Sequence, residues 1–137
     1  MLAVLGMGFL AQPARAVVDE AHSIIMEAAK DFVEQRYVNR ADYWSGEIES
    51  GKQKLVRHQL FRGNEYRFWV ATSFPDCELQ IEVYDAMGQK ATLDRIEGEQ
   101  CIGVRVHPAN TGSYYILIKI VSKEHEKVDW ALVYGYR

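Results

Sequence analysis

The sequence predicts a mainly β protein, a seven- or eight-stranded antiparallel β-sandwich of jelly-roll type with an N-terminal α-helix. Three observations predict it. From Lys54 onward apolar residues recur at every second position in seven short runs, which turns one face of each run toward a core. Turn residues separate the runs at short intervals, the spacing of a sandwich. Ahead of them, apolar residues recur at steps of three and four, the period of an amphipathic helix. At 137 residues, 48% apolar and 26% charged, the chain is one ordinary domain with enough material for a core.

The elements follow in order. Residues 1–16 read as a signal peptide: Met1 to Gln12 is almost wholly apolar, and Ala14-Arg15-Ala16 ends in the small-x-small pattern of a signal-peptidase site. The positive n-region is missing, and a buried N-terminal helix is the alternative. A transmembrane span needs about 20 apolar residues, more than this run supplies. Residues 17–53 form the helix and a connector. Val18, Ala21, Ile25, Ala28 and Phe32 make the apolar stripe, and Asp19 and Glu20 sit in the first turn, where the helix dipole favours acids. The connector, from Asn39 to about Gln53, carries the turn signals Ser45-Gly46 and Ser50-Gly51. It also holds Tyr43 and Trp44, which are expected to dock on the sandwich.

Residues 54–137 are the sandwich, with strands expected at Lys54–Phe61, Glu65–Thr72, Glu78–Tyr84, Ala91–Ile96, Ile102–His107, Ser113–Val121 and Val128–Tyr136. Gly63-Asn64, Pro75-Asp76, Met87-Gly88, Pro108 to Gly112 and Lys123 to Lys127 are the breaks. The inward rows are Tyr66, Phe68, Val70; Leu79, Ile81, Val83; Ile102, Val104, Val106; Tyr114, Ile116, Ile118, Ile120; and Trp130, Leu132, Tyr134. The outward positions include Trp69, Tyr84, Tyr115, Leu117 and Val121, too apolar for a sheet face open to water. The helix stripe is the natural cover.

Three stretches carry a resemblance. Leu60-Phe61-Arg62-Gly63-Asn64-Glu65-Tyr66-Arg67-Phe68 has a Leu, a Gly turn and a Tyr-x-Phe strand. Leu79 to Gly88 is a strand closed by a Gly turn. Val106 to Tyr115 contains Thr111-Gly112-Ser113-Tyr114. Together they resemble the bacterial pre-peptidase C-terminal (PPC-like) domain, a small secreted β-sandwich found beside exported enzymes. The match runs from about Leu60 to the end. The helix from Val17 is outside the usual module, and Pro75-Asp76-Cys77-Glu78 stands where the family has Asp-x-Asp. The resemblance implies a periplasmic or secreted protein that binds rather than catalyses.

The chemistry-bearing residues are few. A net charge of −3 argues against a sequence-independent nucleic-acid binder. His22, His58, His107 and His125 are scattered, with no metal-ligand spacing, and no Gly-x-Ser-x-Gly elbow or phosphate loop occurs, so no catalytic residue is assigned. A small hydrolase with a triad assembled in space is the least favoured reading. No cofactor or metal is assigned. Calcium is the one ion considered, through Asp76, Glu78, Glu99, Glu47 and Glu49, but none of these forms a calcium-loop motif. An even cysteine count in an exported chain points to a Cys77–Cys101 disulfide, with two buried free thiols as the alternative. Trp69, Tyr84 and Tyr115 are the candidate ligand-binding residues, as a shared aromatic platform for a protein or a polysaccharide outside the cytoplasm. The expected function is protein–protein binding or assembly in the cell envelope or secreted space. A carbohydrate-binding module is the alternative, and the helix offers a route to homo-oligomers.

Overall fold

A computed structural model of the chain describes residues 20–27, 38–39 and 44–137. The expected signal peptide, most of the helix stripe (Val18, Ala28 and Phe32) and Tyr43 lie outside the described residues. Nine strands follow the helical residues 20–27: β1 (Val38–Asn39), β2 (Trp44–Glu49), β3 (Gln53–Leu60), β4 (Tyr66–Ala71), β5 (Cys77–Tyr84), β6 (Thr92–Glu97), β7 (Cys101–Val106), β8 (Gly112–Ser122) and β9 (Lys127–Tyr136). The seven strands expected from the period of two are present, each within about a residue of its expected ends. The connector is corrected. Trp44–Glu49 is a full strand of the sandwich, so the sheets begin well before residue 54.

The chain is a long hairpin folded over on itself. β2 pairs with β9, β3 with β8 and β4 with β7, all antiparallel, and β5 meets the start of β6 through a Tyr84–Lys90 bridge. Folding the hairpin over adds the β4–β9 and β5–β8 pairs. Two sheets result. The larger runs β2-β9-β4-β7-β6, with the two-residue β1 beside β2 on the same edge of β9, and the smaller runs β3-β8-β5. Consecutive strands β2 to β5 thus alternate between sheets, as in a jelly roll, except that β6 pairs along β7.

Alternation fixes what each sheet buries. The inward rows named above form the core, joined by Ile48, Val56 and Leu60. Phe68, Ile81, Ile116, Ile118, Ile120 and Leu132 are fully buried there. Burying one such side chain contributes roughly 1.5–3 kcal/mol. Turns are set locally. Asp85 Oδ1 accepts from Met87 N and Gln89 N at 2.9 Å each, and Gly88 takes the left-handed φ of 80° that the turn requires. Tyr114 reaches out of the core to donate its hydroxyl to the Asn110 carbonyl at 2.7 Å, pinning the loop before β8.

The outer face of the larger sheet is covered. Ala21 and Ile25, one helical turn apart, are fully buried against Trp69, Ala71, Cys101, Ala131 and Val133. Small residues let the helix approach. Gly103 sits opposite Trp69, and a Cβ at residue 103 would stand 2.5 Å from the indole ring. The ring therefore lies flat on the bare backbone, leaving its upper side for the helix.

The expected disulfide is corrected by the same parity. Both cysteines are free. Cys101 precedes the inward Ile102 and so points outward, under the helix, whereas Cys77 shares the parity of Leu79 and packs against the inner core from the other sheet. Cys77 points toward the larger sheet while Cys101 points away from the smaller one, so the two side chains do not face each other as a bridge requires.

Candidate functional site

The structure separates the three candidate aromatics. Trp69 stands on β4, 4% exposed beneath the helix. Tyr84 and Tyr115 are register partners on β5 and β8, on the outer face of the smaller sheet at the opposite side of the molecule. The single platform of three rings does not form, because β4 joins one sheet while β5 and β8 join the other.

The outer face of the smaller sheet is uncovered among the described residues. Tyr84 and Tyr115 are half-buried side by side. Leu117 faces Leu55 on one side and Glu82 on the other, Lys119 faces Gln80, and Val121 faces Glu78. Leu55 is 54% exposed. Glu82 is held by Arg95 at 2.6 Å and Lys90 at 3.2 Å, which fixes the charged border of this apolar strip.

A second feature escaped the sequence reading. β2 and β3 are consecutive and are the edges of different sheets on the same side of the sandwich, and they do not pair with each other. In the seam between them Trp44 meets His58 edge-on, with centroids 5.3 Å apart, and His58 lies 4.8 Å from Tyr134. On one side of this contact is a cavity of about 300 Å³ walled by His58, Phe61, Tyr66, Tyr134 and Tyr136. The Tyr66 hydroxyl is fixed there, accepting from Phe61 N at 2.9 Å and Asn64 Nδ2 at 3.2 Å. On the other side a groove of about 630 Å³ runs between residues 44–47 and 54–57, with Trp130 at its base. Trp130 is 3% exposed, and its Nε1 has no acceptor among the described residues. The alternation of Trp44, Gly46 and Ile48 was the signal for β2, masked by the glycine at its centre.

The other polar groups are structural. Asp129, 2% exposed, accepts from Thr72 Oγ1 and Ser73 N at 2.8 Å each, tying the β4–β5 loop to β9. Arg105 bridges Asp94 and Glu65 at 2.9 Å each; those two acids hold its guanidinium firmly protonated. The four histidines are dispersed: His22 on the helix, His58 in the seam, His107 after β7, and His125 against Phe74 at 4.7 Å. No group of three His, Cys, Asp or Glu side chains among the described residues is placed to hold a metal. Asp76, the first of the acids considered for calcium, occupies a left-handed turn position at φ 60°. Burial pushes both thiols above the ordinary range, so neither is a ready nucleophile.

No protein-family profile and no curated protein matches the chain. Solved structures do. PliG from Aeromonas hydrophila, a periplasmic lysozyme inhibitor of g-type lysozyme, superposes with a TM-score of 0.53 at 12% identity, over 70% of this chain and 85% of that one. A lipase from Bacillus licheniformis, BlEst2 in its propeptide form, gives a TM-score of 0.45 at 13% identity over 69% of this chain, which spans only 21% of the lipase chain. At this identity the likeness to PliG is one of fold.

Proposed function

We propose that this chain is an exported, non-catalytic protein-binding module of the cell envelope or secreted space. The observation that carries the reading is the contrast between the two outer faces. One is closed by the chain's own helix. The other presents Leu55, Tyr84, Tyr115, Leu117 and Val121 as an apolar strip bordered by Glu82, Arg57 and Lys119. Flat apolar faces with charged borders suit a folded protein partner, and aromatic anchors carry a large share of such binding energy. The periplasmic inhibitor with a similar fold supports this choice, as does the resemblance of the Leu60–Phe68 and Val106–Tyr115 stretches to pre-peptidase C-terminal domains. The sugar-binding alternative loses its third ring, since Trp69 lies under the helix.

The test is affinity capture from the native envelope with the wild-type chain and with Leu55→Asp, Tyr115→Ala and Tyr84→Ala. The expected result is one stoichiometric partner lost from the variants, with melting temperatures kept. Retention by insoluble polysaccharide in place of a protein, or turnover of an ester, peptide or glycoside abolished by a single Ser or His substitution, overturns the reading.

A further inference from the structure

The two lateral sides of the sandwich are closed by different means. On the β5/β6 side the sheets are stitched by hydrogen bonds and ion pairs: Ala91 N donates to Val83 O at 2.7 Å, Val83 N donates to Thr92 Oγ1 at 2.8 Å, and Glu82 holds Arg95 and Lys90. On the β2/β3 side the described residues meet through aromatic rings, and two strand edges face the same seam. Both edges are regular. β2 keeps an unbroken register with β9 over its whole length, as β3 does with β8, and neither contains proline or a bulge. Every second residue of such an edge turns its N–H and C=O outward.

The groove has a further unmet group. The Trp130 indole reaches beneath Gly46, its Nε1 3.4 Å from where a Cβ on residue 46 would sit. A buried N–H without an acceptor is costly, so an oxygen placed there is favoured. Lys54, on the inward side of β3 by parity with Val56, stands on the facing wall. It makes no ion pair among the described residues. A cation and a donating indole suit a carboxylate. The aromatic cavity beside Tyr134 suits one large apolar side chain. Trp130 and Tyr134 lie on one face of β9, four residues apart, so the two subsites match side chains four apart on one face of an extended segment.

We infer that the seam between β2 and β3 receives an extended segment of a partner protein, added as a strand along the edge of β2. An acidic side chain of that segment lies against Trp130 Nε1 and Lys54, and an aromatic or large aliphatic side chain four residues away fills the cavity of His58, Phe61, Tyr66, Tyr134 and Tyr136. This rests on the protein-binding reading and gives it a recognition mode, strand addition with side-chain pockets.

The probe is a positional library of seven-residue peptides, acetyl-Thr-X-Thr-Val-Thr-Z-Thr-amide, with X and Z each varied over all residue types, titrated into the full chain. The expected selection is Asp or Glu at one position and Phe, Leu or Trp at the other. The Trp130 indole N–H resonance should move downfield on binding. Affinity should fall at least about tenfold in Lys54→Glu and in Trp130→Phe, and in the peptide whose Glu is changed to Gln. Gly46→Val, which fills the space above the indole, should abolish binding. Near-ultraviolet circular dichroism checks that each variant is folded, and Lys54→Glu keeps the test usable if the others are not. Three results overturn the inference: no selected pair, selected peptides that leave the indole resonance unmoved, or a second copy of this chain in the seam, seen as self-association abolished by Gly46→Val. If the native partner is lost from Tyr115→Ala and Leu55→Asp but not from Lys54→Glu or Trp130→Phe, the seam inference fails while the protein-binding reading stands.

Discussion

Replacing Gly103 with alanine tests how the helix is attached. The added methyl would sit 2.5 Å from Cε3 and Cζ3 of Trp69 and 2.7 Å from Cδ2. Carbon atoms in contact prefer about 3.5–4.0 Å, so the ring must lift by about 1 Å or more. Its upper side is packed by Ala21 and Ile25, both fully buried, and the lift is transmitted to the helix. Overpacking of this kind costs about 1–3 kcal/mol, equivalent to a fall in melting temperature of roughly 3–12 °C for a domain of this size. Amide hydrogen exchange over residues 20–27 should speed up by more than exchange in β8, which is remote from the change. Trp69→Leu in the Gly103→Ala background removes the clash and should recover part of the loss, a coupling that a double-mutant cycle measures. An unchanged melting temperature with unchanged exchange in the helix would refute the packing of Trp69 between backbone and helix.

Four further outcomes are expected. Unfolded, non-reduced protein should give two reactive thiols, and the folded protein should react slowly, Cys101 more slowly than the less buried Cys77. Because burial raises both thiol pKa values, the folded state retains thiol protons that the unfolded state gives up. Their contribution to stability is complete below about pH 8.5 and is lost as pH rises through the raised folded values, so melting scans should decline there and Cys101→Ala should flatten the decline. Tyr114→Phe deletes the hydroxyl donated to Asn110 and should cost about 0.5–1.5 kcal/mol in urea denaturation, with the denaturant slope unchanged. Thr72→Val removes one of the two donors to the buried Asp129 carboxylate and should cost about 1–3 kcal/mol, with faster exchange at the Ser73 amide.

Most of the sandwich was legible because strand parity is local. Seven strands and five inward rows could be read from alternation, Ile48, Val56 and Leu60 being the core residues outside those rows, and Asp85 before Met87-Gly88 announced its turn. The same parity carried information left unused. Cys101 is out of phase with Ile102, whereas Cys77 is in phase with Leu79, and that alone opposes a bond between them. β2 was missed because Gly46 interrupts its apolar row, and glycine is there because the Trp130 ring lies against it. The aromatic platform failed for a different reason. Which sheet a strand joins is decided by pairings distant in sequence, so Trp69 and Tyr84, both outward by parity, ended on opposite sides of the molecule. The seam depends on the same long-range choice and left no local mark.

β9 has a consequence for how the molecule is built. It pairs with β1, β2 and β4, all far from it in sequence, and with no strand near it in the chain. The larger sheet therefore has no centre until this segment arrives. Before that, β4 exposes one unpaired flank and the first strands have nothing to attach to. Such a topology folds slowly, on the millisecond-to-second scale of sheet proteins dominated by distant contacts. Removing residues 127–136 should yield an unfolded, aggregation-prone chain in place of a smaller sandwich.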